Sequence, residues 1–388
     1  MSDDPRSYLV PDYYPDFQCK MGDCRHACCE GWPISLSMTD YFRLLGADCP
    51  PDMRDRLDRA LRIALHPTPD RYAQLVPRYD GSCAMHMPDG RCAIHAYLGP
   101  ENLAAVCRLY PRGVRTGTHH ECSCANSCEK TLEMFLHREA PLTFRTMELV
   151  TGVPESTVRS QYFYDAGCGQ DIRLWLISLM QDRRFSLPDR LIRLGHALRT
   201  LDEALDARND ALVAALLDGS ASFDEPAPAL PPDDILRPLQ TAAQLLHIIG
   251  EHSQSVYEHG QKANAWFTAG EPVTQYHRAC ALMEQLLPDW ENWFEHMLVN
   301  HMFFSQMPFQ DRPVPLRDEY VALCAVYVLL RCLCLGCAGV DPTVEALVDA
   351  AAAAFRLVEH TSFDMHATTL MKDAGCDDIE TMLALLRL

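Results

Sequence analysis

Residues 321–340 read VALCAVYVLLRCLCLGCAGV, twenty residues carrying one charge, Arg331. A helix of this length could span a bilayer. A charge at mid-span is costly in hydrocarbon, Gly336 and Gly339 loosen the end, and no basic flank marks a cytoplasmic side. The stretch therefore reads as the central buried helix of a bundle, with no stable membrane insertion. Cys324, Cys332, Cys334 and Cys337 serve there as small apolar filler.

Outward from it, helical periodicity dominates. Helices are predicted near 141–151, 155–165, 169–182 and 187–218, then near 235–265, 272–287, 289–306, 317–338, 342–360, 363–374 and 377–387. Residues 221–234, ASFDEPAPALPPDD, read as a Pro- and Asp-rich linker or exposed loop. Strand signals are nearly absent after residue 120. The expected organisation is a cysteine-rich region at 1–140, a helical segment at 141–220, the linker at 221–234 and a helical region at 235–388. The fold class is mainly α, a helical bundle with an irregular cysteine-rich N-terminal metal-binding region.

That N-terminal region holds eleven of the 18 cysteines. Its densest stretch is Cys19 to Trp32, CKMGDCRHACCEGW. Residues 1–18 look extended and aromatic-rich, and are expected to pack on the cysteine region. Ser37 opens a helix, Pro51 to Leu65 forms another, and GSCAMHMPDGRCAIH forms a short hairpin turning at Pro88-Asp89-Gly90. Gly99 to Tyr110 and a segment from Glu129 are further short helices. Thiolates at short spacing on irregular backbone hold zinc or iron–sulfur clusters. Repeated C-x2-C pairs are missing here, and adjacent Cys28-Cys29 suits a multi-metal cluster or two nearby sites. His26, His86, His95, His119 and His120 could supplement the thiolates.

The net charge is −19, which argues against nucleic acid as a partner. A lysine presented on another protein would be drawn to such a field. Arginine outnumbers lysine 30 to four, as the translation of a GC-rich genome would. The opening MSDDPRSYLVPDYYPDF has no apolar signal core, so a reducing cytoplasm is expected.

The run Phe17, Cys19, Cys24, Cys28, Cys29, Gly31, Trp32 resembles the opening of the flagellin lysine-N-methylase family. Gly90-Arg-Cys92-Ala-Ile-His95, the segment Gly99 to Arg112 around Cys107, and Ser127-Cys128-Glu129 are similar to later motifs of that family, although Lys130 stands where the last pattern differs and its proline is missing. Glu291-Asn-Trp, Asn300-His-Met-Phe-Phe, Pro308-Phe309 and Val358-Glu-His360 resemble its C-terminal motifs. The N-terminal motif alone is shared with a broader family of zinc- or iron-chelating cysteine proteins. The resemblance implies methyl transfer from S-adenosylmethionine to surface lysines of flagellin, or of another lysine-bearing protein, and an iron–sulfur cluster of the 4Fe-4S type, with zinc as the alternative. It implies ligands among Cys19, Cys24, Cys28, Cys29, Cys83, Cys92, Cys107 and Cys128. Cys122 and Cys124 fall outside its pattern.

Methyl transfer needs a neutral amine held in line with a sulfonium. No G-x-G-x-x-G or βαβ pattern is present, so a Rossmann-type cofactor site is not expected. The radical motif C-x3-C-x2-C is also broken: Cys24 and Cys28 are followed by Gly31, and Cys124 and Cys128 by Thr131. Catalytic candidates are Glu291, Asn292, Asn300 and His301. Cofactor-binding candidates are Arg108 and Arg112. The alternative function is a non-enzymatic zinc- or iron-binding or metal-delivery protein.

Overall fold

The structure, a computed structural model, describes residues 4–26, 28, 34–117, 119–154, 168–223, 235–252, 254–309 and 314–388. The chain packs as two units. One comprises Asp16–Gly113 with Cys128–Lys130; the other comprises Met1–Pro15, Val114–Ser127 and Thr131–Leu388. The thiol-rich unit thus excludes the first fifteen residues, whose strand β1 (Arg6–Pro11) belongs to the helical unit.

In the thiol-rich unit, β2 (Ile34–Leu36) leads into α1 (Met38–Leu45) and α2 (Pro51–Ala60), followed by β3 (Leu61–Ile63) and β4 (Ala73–Leu75). The side chain of Ser37 accepts a hydrogen bond from the Asp40 main chain, as an N-cap residue should. The second helix is shorter than expected. It stops at Ala60 because Leu61 pairs with Leu75 in an antiparallel sheet ordered β2-β4-β3, and Leu65 is left 89% exposed. Ile34, Leu36, Leu44, Met53, Leu57, Leu75, Met85 and Ile94 form the core of this unit. The hairpin is present as a bridge between His86 and Cys92, closed by a Gly90 N–H to Met87 carbonyl bond. The Gly99–Tyr110 helix is broken instead: α3 (Ala93–Leu98) is followed by a 3-10 turn at Pro100–Asn102 and then α4 (Ala105–Leu109).

In the helical unit, β5 (Arg112–Arg115), whose last two residues belong here, and β6 (Glu121–Cys124) join β1 and β7 (Phe144–Leu149) in a sheet ordered β5-β6-β1-β7. α5 (Glu129–Phe135) lies between β6 and β7 in sequence. A helix was expected at 141–151, and β7 corrects that. Its six residues pair with all of β1, from Arg6↔Leu149 to Pro11↔Phe144. The expected helix at 155–165 and most of the linker at 221–234 lie outside the described residues.

The remaining helices are α6 (Gly169–Met180), α7 (Leu187–Asp206), α8 (Asp210–Leu217), α9 (Leu236–His252), α10 (Gln254–Thr268), α11 (Pro272–Leu286), α12 (Trp290–Phe304), α13 (Leu316–Val340), α14 (Val344–His360), α15 (Phe363–Asp373) and α16 (Ile379–Leu386). The continuous helix expected over 187–218 breaks at Arg208, whose φ is 52°, and Asn209 caps the next one. α13 packs against α7, α9, α10, α11, α14, α15 and α16. It is long and apolar enough to cross a membrane, and the apolar window is buried throughout by its neighbours. Gly336 and Gly339 permit close approach to α10: a Cβ at Gly336 would fall on Ala263, and one at Gly339 on the Trp266 ring. Arg331 is satisfied inside the bundle. Its Nε donates to the Leu388 carbonyl at 2.9 Å, and its guanidinium lies 4.0 Å from the centre of the Trp290 ring.

Beside α13, α12 carries a second buried charge. Glu295, with no exposed side-chain surface, takes Arg190 at 2.6 Å and Arg183 at 2.8 Å. Replacing Glu295 by Ala leaves two arginines facing each other and is expected to cost about 3–5 kcal/mol, read as a lower urea midpoint. His296 next to it is buried and held down to about 4, mainly by burial; its Nε2 lies 3.0 Å from the Ala140 carbonyl. A histidine free in the unfolded chain titrates near 6.5, so acid favours unfolding between the two values. Stability should fall by about 3 kcal/mol from pH 7 to pH 4 through this residue, and His296→Gln should flatten that slope in denaturant titrations.

Candidate functional site

The thiols come first. Glu129, 5% exposed, anchors the loop that carries them: its carboxylate takes Lys20 Nζ at 2.5 Å and the main-chain N–H groups of Arg25 and His26 at 3.0 and 3.4 Å. Gly22 lies so close to Gly90 that a Cβ there would sit 2.9 Å from the Gly90 carbonyl carbon. The first cysteine stretch therefore touches the hairpin turn backbone to backbone, and glycine at both positions makes that contact possible. Around this contact the cysteines form two neighbourhoods. Burial first, and then Glu129, Cys128 and Cys19, push the Cys24 thiol up to about 12. Burial first, and then Cys92, Cys83 and Cys28, push the Cys107 thiol upward. Cys83, Cys92 and Cys107 also share the apolar core of this unit.

Seven of the eight cysteines singled out by sequence are thus gathered within the thiol-rich unit, and Cys29 lies outside the described residues. The donor set is one of soft thiols and suits zinc or an iron–sulfur cluster. Among the described residues, no three or more of His, Cys, Asp and Glu form a group that could hold a metal ion. Cys122 and Cys124 sit in the other unit on β6. Cys122 donates to the Tyr14 hydroxyl at 3.2 Å, and the Cys124 main chain bonds to the Tyr13 hydroxyl at 3.0 Å. The cofactor-binding candidates also belong to the thiol-rich unit. Arg108 donates to the Glu101 carbonyl at 3.1 Å, and Arg112 lies over the Phe17 ring at 5.1 Å.

The helical unit holds a different site. A cleft of about 700 Å³, counted with its open mouth, lies among β5, α12, α13, α14 and α15. Arg115, His301, Glu319, Glu359 and Asp364 line it, between apolar walls from Phe304, Leu323, Val326 and Phe363. Three carboxylates against one guanidinium and an imidazole favour a cation. Glu359 has a side chain with no exposed surface. Its Oε2 accepts the Ser127 main-chain N–H at 3.2 Å, and its Oε1 lies 3.6 Å from Nδ1 of His301. Neither Oε1 nor that Nδ1 has a hydrogen-bond partner. Ser127 Oγ meets His360 Nε2 at 2.8 Å, and burial, the largest influence, lowers the His360 imidazole below its usual range.

The catalytic candidates separate accordingly. His301 lines the cleft. Asn300, one residue earlier, is fully buried on another face of α12; its amide serves the Cys124 carbonyl, Asn126 and the Tyr13 hydroxyl at 2.7–2.8 Å. Glu291 lies 3.8 Å from Arg190, and Asn292 is in the first turn of α12. Neither is among the residues lining the cleft. Glu359, Glu319, Asp364, Arg115 and Ser127 were not singled out as site residues by sequence. Two of the motifs could have flagged two of them: Val358-Glu-His360 for Glu359 and Ser127-Cys128-Glu129 for Ser127.

A thiol-rich unit joined in one chain to a helical unit with an acidic cleft defines a class of cysteine-bearing, mainly α proteins. Within it, the profile of the FliB lysine N-methylase C-terminal domain matches residues 173–385, more than half of the chain, and the chain belongs to this family. A lysine-N-methylase of Salmonella choleraesuis (strain SC-B67) is 26% identical over 111 residues, covering 27% of this chain and 26% of that relative. The chain thus spans, in this match, about a quarter of the length of the relative. No solved structure matches.

If the thiols hold metal, Cys107→Ser should at least halve the iron or zinc bound per chain, while Cys122→Ser, in the other unit, should leave it unchanged. Metal quantification on anaerobically purified protein, together with visible absorption, makes the comparison.

Proposed function

We propose that this chain is a cytoplasmic methyltransferase that moves methyl groups from S-adenosylmethionine to surface lysines of flagellin, with an iron–sulfur cluster held by its thiol-rich unit. The observation that carries the reading is the family match, because residues 173–385 include His301, Glu319, Glu359 and Asp364, four of the five charged or titratable residues that line the cleft. Lysine and the sulfonium of the methyl donor are both cations, and an acidic cleft suits either. In the thiol-rich unit the ligands would come from Cys19, Cys24, Cys28, Cys29, Cys83, Cys92, Cys107 and Cys128. A cluster there would supply redox or structural chemistry, while the residues of the helical unit bind and orient the lysine.

A second reading is a metal-binding protein without transferase activity. It is favoured by one fact: the thiol-rich unit lies entirely outside the residues that the family profile matches. Purified chain incubated with S-adenosylmethionine and flagellin should give +14 Da steps in the intact mass of flagellin. A metal-loaded chain that leaves flagellin and other lysine-bearing proteins unmodified would support the second reading and sink the first.

A further inference from the structure

We propose that Glu359 and His301 form the amine site of the cleft, receiving the ε-ammonium of the substrate lysine and accepting its proton; this rests on the lysine-methylase reading and assigns residues to it. Glu359 Oε1 and His301 Nδ1 both lack a hydrogen-bond partner, line the same cleft, and lie 3.6 Å apart. That separation is too long for a hydrogen bond between them. A buried carboxylate oxygen without a partner is costly to maintain, and a donor that enters the cleft removes the cost. An ammonium has three N–H donors and one positive charge, so it can satisfy both acceptors at once.

The carboxylate is held for this purpose from behind. The Ser127 main-chain N–H takes Oε2, and the Ser127 hydroxyl is tied to His360, the residue after Glu359. Oε1 is thereby left facing His301, whose ring is backed by Phe355 at 5.7 Å between centroids. Glu359 is on α14 and His301 on α12, so the pair is built from two helices rather than from one loop.

The chemistry balances with these two groups and the sulfonium donor. With hydrogen on Nε2, neutral His301 takes one proton from the ε-ammonium at Nδ1, and Glu359 stabilises the imidazolium that results. The freed nitrogen lone pair forms the N–C bond to the methyl carbon as the C–S bond breaks, its electrons staying on sulfur. The products are a methylammonium and a thioether. His301 then returns its proton to water.

The test uses the full chain and a probe that needs no turnover. N-acetyl-lysine methylamide is titrated into protein labelled with 15N-histidine, and the His301 resonance is identified by its loss in His301→Gln. The wild type should show a saturable shift of that resonance. Glu359→Gln should weaken the probe at least fivefold while S-adenosylhomocysteine binds within twofold of wild type. In turnover with flagellin, both variants should lose at least 100-fold in kcat/KM. Should Glu359→Gln fail to fold, His301→Gln, at a partly exposed position, supplies the turnover comparison. A wild type that does not bind the probe overturns the proposal. So do variants that bind and methylate as wild type does, and so does a loss confined to the adenosyl ligand, which would give the cleft to the sulfonium. Probe binding that depends on Glu359, in a chain that methylates nothing, would sustain the amine site and overturn the methylase reading instead.

Discussion

The helical unit depends on burying α13 on every side. A helix of 25 residues with almost no polar surface cannot stand at the edge of a bundle, so the other helices must surround it. α7, α9, α10, α11, α14, α15 and α16 all do. The two glycines near its end set how closely α10 can approach, and Arg331 sets where a cation must be satisfied. The acidic cleft follows from the same constraint. Glu319 comes from the first turn of α13, and α14 and α15 bring Glu359 and Asp364 to the same cleft.

Buried charge in this unit is met to different degrees, and position decides what an open atom can do. Arg173 and Glu121 meet at 2.5 Å with 6% and 1% of their side-chain surfaces exposed, and Arg173 also serves the Phe303 carbonyl. Glu295 takes two arginines. Such pairs offset their desolvation within the fold. Glu359 is as deeply buried, yet one of its oxygens has only a histidine beyond hydrogen-bonding distance. Glu121 also keeps one oxygen, Oε2, without a partner; what sets Glu359 apart is that its open oxygen lies beside an equally open histidine nitrogen, both on residues lining one cleft.

Periodicity made most of the helices legible. From Gly169 onward, apolar spacing located nearly every helix of the structure, and the Ser37 cap and the Pro88-Asp89-Gly90 turn were visible in the same way. Two of the failures share one cause. Phe144–Leu149 became a strand because β1, more than 130 residues earlier, supplies its pairing, and the second helix stopped at Ala60 because Leu75 pairs with Leu61. Long-range pairing overrode local pattern in both. The cysteine groups were legible as a set, because thiols bunch in sequence, but their division was not. It rests on Gly22 meeting Gly90 and on Glu129 reaching back to Lys20. His301 and Glu359 are 58 residues apart; the sequence singles out His301 as a catalytic candidate, but nothing in it pairs that histidine with Glu359.

The cleft shows how the motifs of one chain can be related by space rather than by order. Ser127 stands immediately before a cysteine of the thiol-rich unit, yet its own contacts are to Glu359 and His360 within the helical unit. Asn300 and His301 are neighbours in sequence with different occupations. The asparagine ties α12 to β6 through the Cys124 carbonyl, and the histidine faces the cleft. Anchoring the helix through Asn300 fixes the rotation of α12 about its axis, and that rotation decides whether His301 Nδ1 lies beside Glu359. The asparagine would then act on the chemistry through geometry alone: losing its amide would displace the imidazole while leaving every group that touches the amine in the chain.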